Sequence, residues 1–283
     1  MRVVCAGHVN WDVTMGVDSL PAPDAESAIR ERRESGGGSA ANVAADLASL
    51  GVTVSLVGSV GTDDHGERAR AELAAAGVDT DPLQVVEGRT TVKYLLVDEA
   101  GRVAVLDDGG VNEAVDPDSV PASLFDGAGV CHLTGQQPDT AARLAELASE
   151  AGATVSFDPG RRLGSRDYAA TLALSDLLFL NAREAEHVPT TPADCRILRK
   201  RGADGAVLEG PDGRVEHPGF AVESVDTTGA GDAFAAGFLA ARHGGADAER
   251  ALAVANACGT LAAATPGARP DLDGNRVEGL LDG

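Results

Sequence analysis

Apolar positions along this chain follow two spacings that take turns. Short apolar runs at Arg2–Ala6, Val52–Val57, Val130–Leu133, Thr154–Phe157 and Leu177–Leu180 have the length of strands buried on both faces. Between them, Ala40–Leu50, Asp64–Ala76 and Asp139–Ala151 repeat apolar residues every three to four positions, and Gly51 and Gly77 supply stops after the first two, so all three read as helices. Gly231–Arg242, Ala246–Ala264 and Gly274–Leu281 read as further helices, and Ala206–Glu209 with Arg214–Glu216 as a hairpin. Cys195–Lys200 fits a strand or a helix equally. Strands alternating with helices predict an α/β fold, a parallel sheet covered by helices on both faces.

Two stretches interrupt the alternation. From Asp12 to Ser35 the pattern weakens among charges and prolines 21 and 23. Thr90–Val97 and Arg102–Leu106 alternate around Asp98-Glu99-Ala100-Gly101, a hairpin signal. That hairpin fits an edge of the main sheet, or a small separate sheet shared with 13–35. In such folds ligands bind beyond the carboxyl ends of the strands. Gly7-His8-Val9-Asn10, Asp158-Pro159-Gly160 and Asn181-Ala182-Arg183-Glu184 each follow a predicted strand and should gather on one edge.

Composition narrows the class. The 283 residues, 43% of them hydrophobic, suffice for one large domain. A formal charge of -21, from 44 acidic against 23 basic residues, argues against nucleic acid and anionic membranes as partners. Lys93 and Lys200 are the only lysines. That scarcity favours a halophilic protein of a salty cytoplasm, where the Debye length falls to roughly 3 Å near 1 M salt, over an ordinary acidic enzyme. Cys5, Cys131, Cys195 and Cys258 form no Cys-x-x-Cys and read as buried hydrophobes in a reducing compartment. The opening MRVVCAGHVNWD lacks a signal-peptide core, and no apolar run has membrane-spanning length. The expectation is a cytoplasmic protein.

Four segments carry candidate chemistry. In Asp226-Thr227-Thr228-Gly229-Ala230-Gly231-Asp232-Ala233-Phe234 small residues open a long helix. The amides of Gly229, Ala230 and Gly231 would make an anion site, and Asp232 could take a proton from an attacking hydroxyl. An aspartate that only complements the helix dipole fits that spacing as well. Gly36-Gly37-Gly38-Ser39 leads into a helix bearing Asn42. Without a Walker lysine this is no P-loop; it reads as a turn with Ser39 as helix cap, or as a seat for a hydroxylated ligand. Asn181 and Glu184 share a helix face and read as a capping box, or as holders of Mg²⁺ through water. Asn10 and Asp12 read as a turn, or as a pair for sugar hydroxyls, with Trp11 either packed or stacked on a ligand. The histidines at 8, 65, 132, 187, 217 and 243 form no metal pair at helical spacing and read as structural or exposed.

In this order the segments resemble the ribokinase-like, PfkB-type carbohydrate kinases, over nearly the whole chain. Gly37-Gly38-Ser39-Ala40-Ala41-Asn42 is similar to the family's amino-terminal glycine motif, and 226–234 to its carboxyl-terminal signature. Gly58, Gly61, Asp63 and Gly66, the turn Gly110-Val111-Asn112, and Asn181–Glu184 also match. The resemblance implies a single ribokinase-like kinase domain over 1–283: a three-layer α/β/α core with a mostly parallel sheet, plus a β lid from about 12–36 and 89–107 that could carry a homodimer. It implies ATP, Mg²⁺ and a small sugar as ligands. Asp232 would be the base and 229–231 the anion hole. Asn10, Asp12, Gly37, Gly38 and Asn42 would bind the sugar. Asn181, Gly202, Thr228, Gly229, Gly231 and Asn256 would border the nucleotide, with Asn181 and Glu184 near Mg²⁺. Potassium, used by many members, would fall to Asp226, Thr228, Ala262, Thr265, Gly267 and Asp271.

Two departures stand out. Only ten residues separate Glu184 from Cys195, too few for the helix the family places there if a strand follows. No acid occurs in His132-Leu133-Thr134-Gly135, where ribokinases carry an acidic sugar contact. His132–Gly135, Asp158-Pro159-Gly160-Arg161-Arg162 and Lys200-Arg201-Gly202-Ala203-Asp204-Gly205 resemble the fructose and ketodeoxygluconate kinase branches more closely, with Arg162 either a carboxylate partner or a surface residue. The expected reaction is ATP-dependent phosphorylation of a hydroxymethyl group on a fructose-, ketodeoxygluconate- or ribose-like acceptor. A nucleoside kinase and a sugar sensor without turnover are the rivals.

Overall fold

The computed structural model describes residues 2–282 apart from 189, 223 and 266. In chain order the strands are β1 (Arg2–Ala6), β2 (Asn10–Val17), β3 (Ile29–Gly37), β4 (Val54–Gly61), β5 (Leu83–Val86), β6 (Val92–Asp98), β7 (Val103–Asp108), β8 (Ala128–Thr134), β9 (Thr154–Asp158), β10 (Leu177–Asn181), β11 (Arg196–Lys200), β12 (Ala206–Gly210) and β13 (Gly213–His217). The α-helices are α1 (Ser39–Ser49), α2 (Asp64–Ala75), α3 (Pro138–Glu150), α4 (Ala169–Ala173), α5 (Ala182–Ala185), α6 (Ala230–His243), α7 (Ala248–Ala263) and α8 (Gly274–Leu281).

Nine strands form the main sheet in the order β13-β12-β11-β10-β9-β8-β1-β4-β5. It is parallel from β11 to β5, with β12 and β13 an antiparallel hairpin at one edge. Strand β1 shows why the fold has three layers. Its residues alternate between two cores: Val3 and Cys5 join α1, α6 and α7 on one face, while Val4 and Ala6 join α3 on the other. A strand buried on both sides needs a continuous apolar run, and Val3 to Ala6 are fully buried.

A second sheet of four strands, in the order β3-β2-β6-β7, stands apart. Here β2 runs antiparallel to β3 and parallel to β6, and β6 and β7 form the hairpin that alternation suggested. Segment 12–35, weak in pattern, holds two strands. Strand β3 is exposed over most of its length, so Arg30, Glu31, Arg32 and Arg33 needed no apolar alternation. Asn10 and Asp12 lie on β2 rather than in a turn. Strand β5 was not expected; it has only four residues at the sheet edge.

Local chemistry sets the helix ends. Asp63 caps α2 through Gly66 N at 3.1 Å, and Asp247 caps α7 through Arg250 N at 2.8 Å. Pro138 opens α3, where a missing N–H costs nothing. Ser39 does not cap α1: Gly38 holds that position, at φ 96°. Among the described residues between β10 and β11, helix is confined to the four residues of α5, less than the family resemblance implied. Phe179 on β10 makes edge contacts with Phe234 and Phe238 on α6, centroids 6.4 and 5.8 Å away. These contacts fix the amino end of α6 above the carboxyl edge of the sheet. All four cysteines are free and buried.

Candidate active site

The start of α6 is shaped by Asp226 and Gly229. Asp226 accepts from Thr228 N at 2.9 Å and Gly267 N at 3.0 Å, tying the turn before α6 to the loop after α7. Burial would raise the Asp226 carboxyl, but these two amides hold it below its ordinary value. Gly229 adopts φ 75°, and a Cβ there would lie 2.2 Å from the Ala268 carbonyl oxygen, so only glycine fits. The helix ladder begins with Ala233 N to Gly229 O, at 2.8 Å. The amides of Gly231 and Asp232 precede it. Ala230 N differs from expectation, donating to Thr227 O at 3.3 Å.

Asp232 faces α1. Its Oδ2 accepts from Asn42 Nδ2 at 2.9 Å, while Asn42 Oδ1 accepts from Arg269 Nε at 3.2 Å. Gripped on both sides, Asn42 cannot rotate its amide without losing a bond. Burial pushes the Asp232 carboxyl up to about 7; Asp158 adds to the rise, and Asn42, Lys200 and Ser39 oppose it. Ser39, expected as a cap, thus acts on Asp232 instead.

Three carboxylates, Asp232 among them, bear on one ammonium. Lys200 Nζ donates to Asp158 Oδ2 at 2.6 Å, and Glu184 and Asp232 also bear on Lys200. Burial would pull the Lys200 ammonium down, but Asp158 and its neighbours hold it above its ordinary value. Asn181 and Glu184 do form the capping box: Glu184 N donates to Asn181 Oδ1 at 3.0 Å and Asn181 N to Glu184 Oε2 at 2.8 Å. Glu184 is nonetheless buried, and burial and Asp158 push its carboxyl up. A surplus of negative charge around one lysine fits a divalent cation. Among the described residues no group of three His, Cys, Asp or Glu side chains is placed to hold a metal ion directly.

At the root of β2, Asn10 is buried and its Oδ1 accepts from Asn112 Nδ2 at 2.6 Å. Burial pushes Asp12 up to about 6 against the pull of Arg269 and Lys93, and its Oδ1 is buried without a partner among the described residues. Gly37 and Gly38 are glycines for steric reasons: added Cβ atoms would lie 2.1 Å from Asp12 Oδ2 and 2.4 Å from His8 O. Trp11 is packed, stacked on His65 at 5.6 Å with the Arg68 guanidinium 4.1 Å from its ring.

The remaining expected residues are placed less tightly. Asp226, Thr228 and Gly267 are joined, but Ala262 O is engaged by Thr265 N at 3.0 Å and Asp271 O by Arg276 Nη1 at 2.9 Å. Asn256 Nδ2 donates to Leu252 O of its own helix at 2.7 Å, and Gly202 is exposed in a short turn after β11. Sequence reasoning missed the roles of Lys200, Asp158 and Arg269. One signal was available for the first: it is one of only two lysines.

The α/β fold, with Asp232, Asn42, Lys200 and Asp158 gathered about the start of α6, defines a small-molecule kinase. The chain matches the pfkB family carbohydrate kinase profile over residues 1–274, and it belongs to that family. It is 55% identical over 290 residues to an ATP-dependent ribose-1-phosphate kinase of Halopiger xanaduensis, covering 99% of this chain and 98% of that one. It is 30% identical over 260 residues to a nucleoside kinase of Methanothermobacter thermautotrophicus, covering 87% and 84%. Among solved structures, Arabidopsis thaliana ribokinase complexed with ribose and ATP superposes with a TM-score of 0.85 at 26% identity, covering 100% and 99% of the two chains. Among the described residues no helix is long and apolar enough to cross a membrane.

Proposed function

We propose that this chain transfers the γ-phosphoryl group of ATP to the 5-hydroxyl of ribose 1-phosphate, giving ADP and ribose 1,5-bisphosphate. The observation that carries this reading is the 55% identity, over essentially both full lengths, to a kinase of that substrate. With C1 occupied by phosphate, C5 bears the only primary hydroxyl, the group the cleft was expected to accept.

Asp232 takes the proton of the 5-hydroxyl as its oxygen attacks the γ-phosphorus and ADP leaves. A carboxyl raised to about 7 lies near the optimum for a general base at neutral pH. Asn42 orients that carboxylate. The amide groups of Gly229, Gly231 and Asp232 would receive the charge that develops on the transferring oxygens. Asn10, Asp12, Gly37, Gly38 and Asn42 form the acceptor floor, and Asn181, Gly202, Thr228 and Asn256 border the nucleotide. Asn181 and Glu184, with Asp158 beside them, would hold Mg²⁺ through water, and Mg²⁺ would supply charge neutralisation between the phosphates. The loop joined by Asp226 and Gly267 is where K⁺ would sit, with Thr228, Ala262, Thr265 and Asp271 around it.

ATP consumption measured across ribose 1-phosphate, ribose, fructose, ketodeoxygluconate and nucleosides, in high potassium and Mg²⁺, tests the reading. Ribose 1-phosphate should give the highest kcat/KM. A higher value for a nucleoside or an unphosphorylated sugar would overturn it.

A further inference from the structure

We infer that His8, Arg162 and Arg166 seat the phosphate group the acceptor already carries, with Glu113 holding the three side chains together. This rests on the ribose 1-phosphate reading and names the part of the site that would enforce it.

The cluster is a convergence of donors on one carboxylate. Glu113 Oε1 accepts from His8 Nε2 at 2.8 Å, from Arg166 Nη1 at 2.8 Å and from Arg162. Its Oε2 accepts from Arg166 Nη2 at 2.9 Å and Gln137 Nε2 at 2.8 Å. Burial would raise the Glu113 carboxyl, but His8, Arg166 and Arg162 hold it well below the usual range. The permanent positive charges of Arg162 and Arg166 therefore face a single negative charge, with the His8 ring hydrogen-bonded beside them. That surplus is notable in a chain of net charge -21, and it has the opposite sign to the group around Lys200. Charge of this sign calls for a further anion.

The position selects which anion. His8 stands two residues beyond β1; its carbonyl oxygen lies against Gly38 and accepts from Ala41 N at 3.4 Å. Glu113 follows Asn112, whose amide bonds Asn10. Arg162 and Arg166 follow β9. The cluster thus adjoins the acceptor floor. The ATP phosphates would lie elsewhere, at the start of α6.

Shelter and anchoring complete the case. The side chains of His8, Glu113, Arg162 and Arg166 are 16%, 17%, 35% and 21% exposed, whereas a plain surface pair such as Arg30–Asp18 is 68% and 39% exposed. Arg166 is also pinned to Gln136 O at 2.9 Å, which Tyr168 OH reaches at 2.7 Å. Next to it the buried Gln136 Nε2 has no partner among the described residues. A phosphate monoester brings close to two negative charges and three strong acceptor oxygens, and planar guanidinium groups bind such oxygens in pairs. A free sugar hydroxyl or a nucleobase at C1 would leave the surplus charge unanswered.

Arg162→Gln, Arg166→Gln and Arg166→Lys test the assignment, with kcat and KM measured for ribose 1-phosphate, ATP and free ribose. Each glutamine variant should raise KM for ribose 1-phosphate by about ten- to a hundredfold, the worth of one charge-assisted hydrogen-bonded contact. Values of kcat, KM for ATP and kcat/KM for free ribose should stay within about threefold, and Arg166→Lys should recover part of the loss. Equal losses on ribose 1-phosphate and free ribose, or an unchanged KM for ribose 1-phosphate, would overturn the inference. Should a variant fail to fold, inorganic phosphate decides on the wild-type protein: inhibition competitive with ribose 1-phosphate supports the seat, and competition with ATP alone refutes it. Wild-type turnover of ribose 1-phosphate with unaffected variants removes the inference and leaves the function standing. Wild-type indifference to ribose 1-phosphate removes the function itself, and the phosphate seat with it.

Discussion

Asp232→Asn should make this protein inactive and more stable at once. In the folded chain the carboxyl keeps its proton up to about pH 7, whereas in the unfolded chain it releases it near pH 4. Ionising it in place therefore lowers stability as pH rises from about 4 to 7; the penalty is absent below that window and complete above it. A rise from 3.8 to about 7 corresponds to about 4 kcal/mol as an upper figure, at roughly 1.36 kcal/mol per pH unit. Asp232 is only half-buried, and solvent screening reduces the penalty, so we expect about 1–2 kcal/mol of that. Asparagine keeps an oxygen for the Asn42 amide and carries no charge. At pH 8 the variant should melt about 2–8 °C higher than wild type, and the difference should vanish near pH 4. Its kcat should fall by about 10²–10⁴, the usual contribution of a general base. Calorimetry at pH 4 and 8, paired with turnover on ribose 1-phosphate, checks both halves. A variant that melts lower at pH 8, or keeps a tenth of wild-type kcat, refutes the reasoning.

Wild-type kcat/KM should climb with pH through about 7 as Asp232 ionises, and a pH–rate profile flat from 6 to 8 would remove its role as base. Gly229→Ala should cost about 1–3 kcal/mol by denaturant unfolding, because the new methyl meets the Ala268 carbonyl and φ is positive. Lys200→Met should cost about 3–5 kcal/mol by leaving Asp158 without its partner, and it should raise KM for MgATP. Chelation of Mg²⁺ should abolish turnover while leaving the melting temperature of the nucleotide-free protein within about 1 °C, since the capping box, not a metal, satisfies Asn181 and Glu184.

Much of the main sheet was legible because burial on both faces imposes continuous apolar runs, as in β1, β8 and β10. The hairpin of β6 and β7 was legible from alternation along the sequence around the Asp98–Gly101 turn, although the burial of its side chains does not itself alternate. Strand β3 was not: its pairing with β2 is specified by backbone bonds and register, which leave its side chains free to be Arg and Glu. Strand β5 is too short to carry a period. In the site, glycines at 37, 38 and 229 could be flagged as places of close approach, but what they approach was invisible. The Asn42–Asp232 contact spans 190 positions, and no local spacing encodes it. Three separate loops likewise deliver His8, Glu113 and Arg162 to one point, so His8 read as structural or exposed, Arg162 as a carboxylate partner or a surface residue, and Glu113 carried no local signal.

The small sheet has a mechanical property that follows from its register. Strand β2 begins at Asn10 and β3 ends at Gly37, and these two residues are paired. The strands that reach outward are therefore rooted in the floor on which the acceptor would rest. Tilting the outer tips of β2 and β3 must shift Asn10, Asp12 and Gly37, and anything that pins those residues stiffens the whole flap. Motion of this sheet should accordingly report occupancy by the sugar more directly than occupancy by the nucleotide.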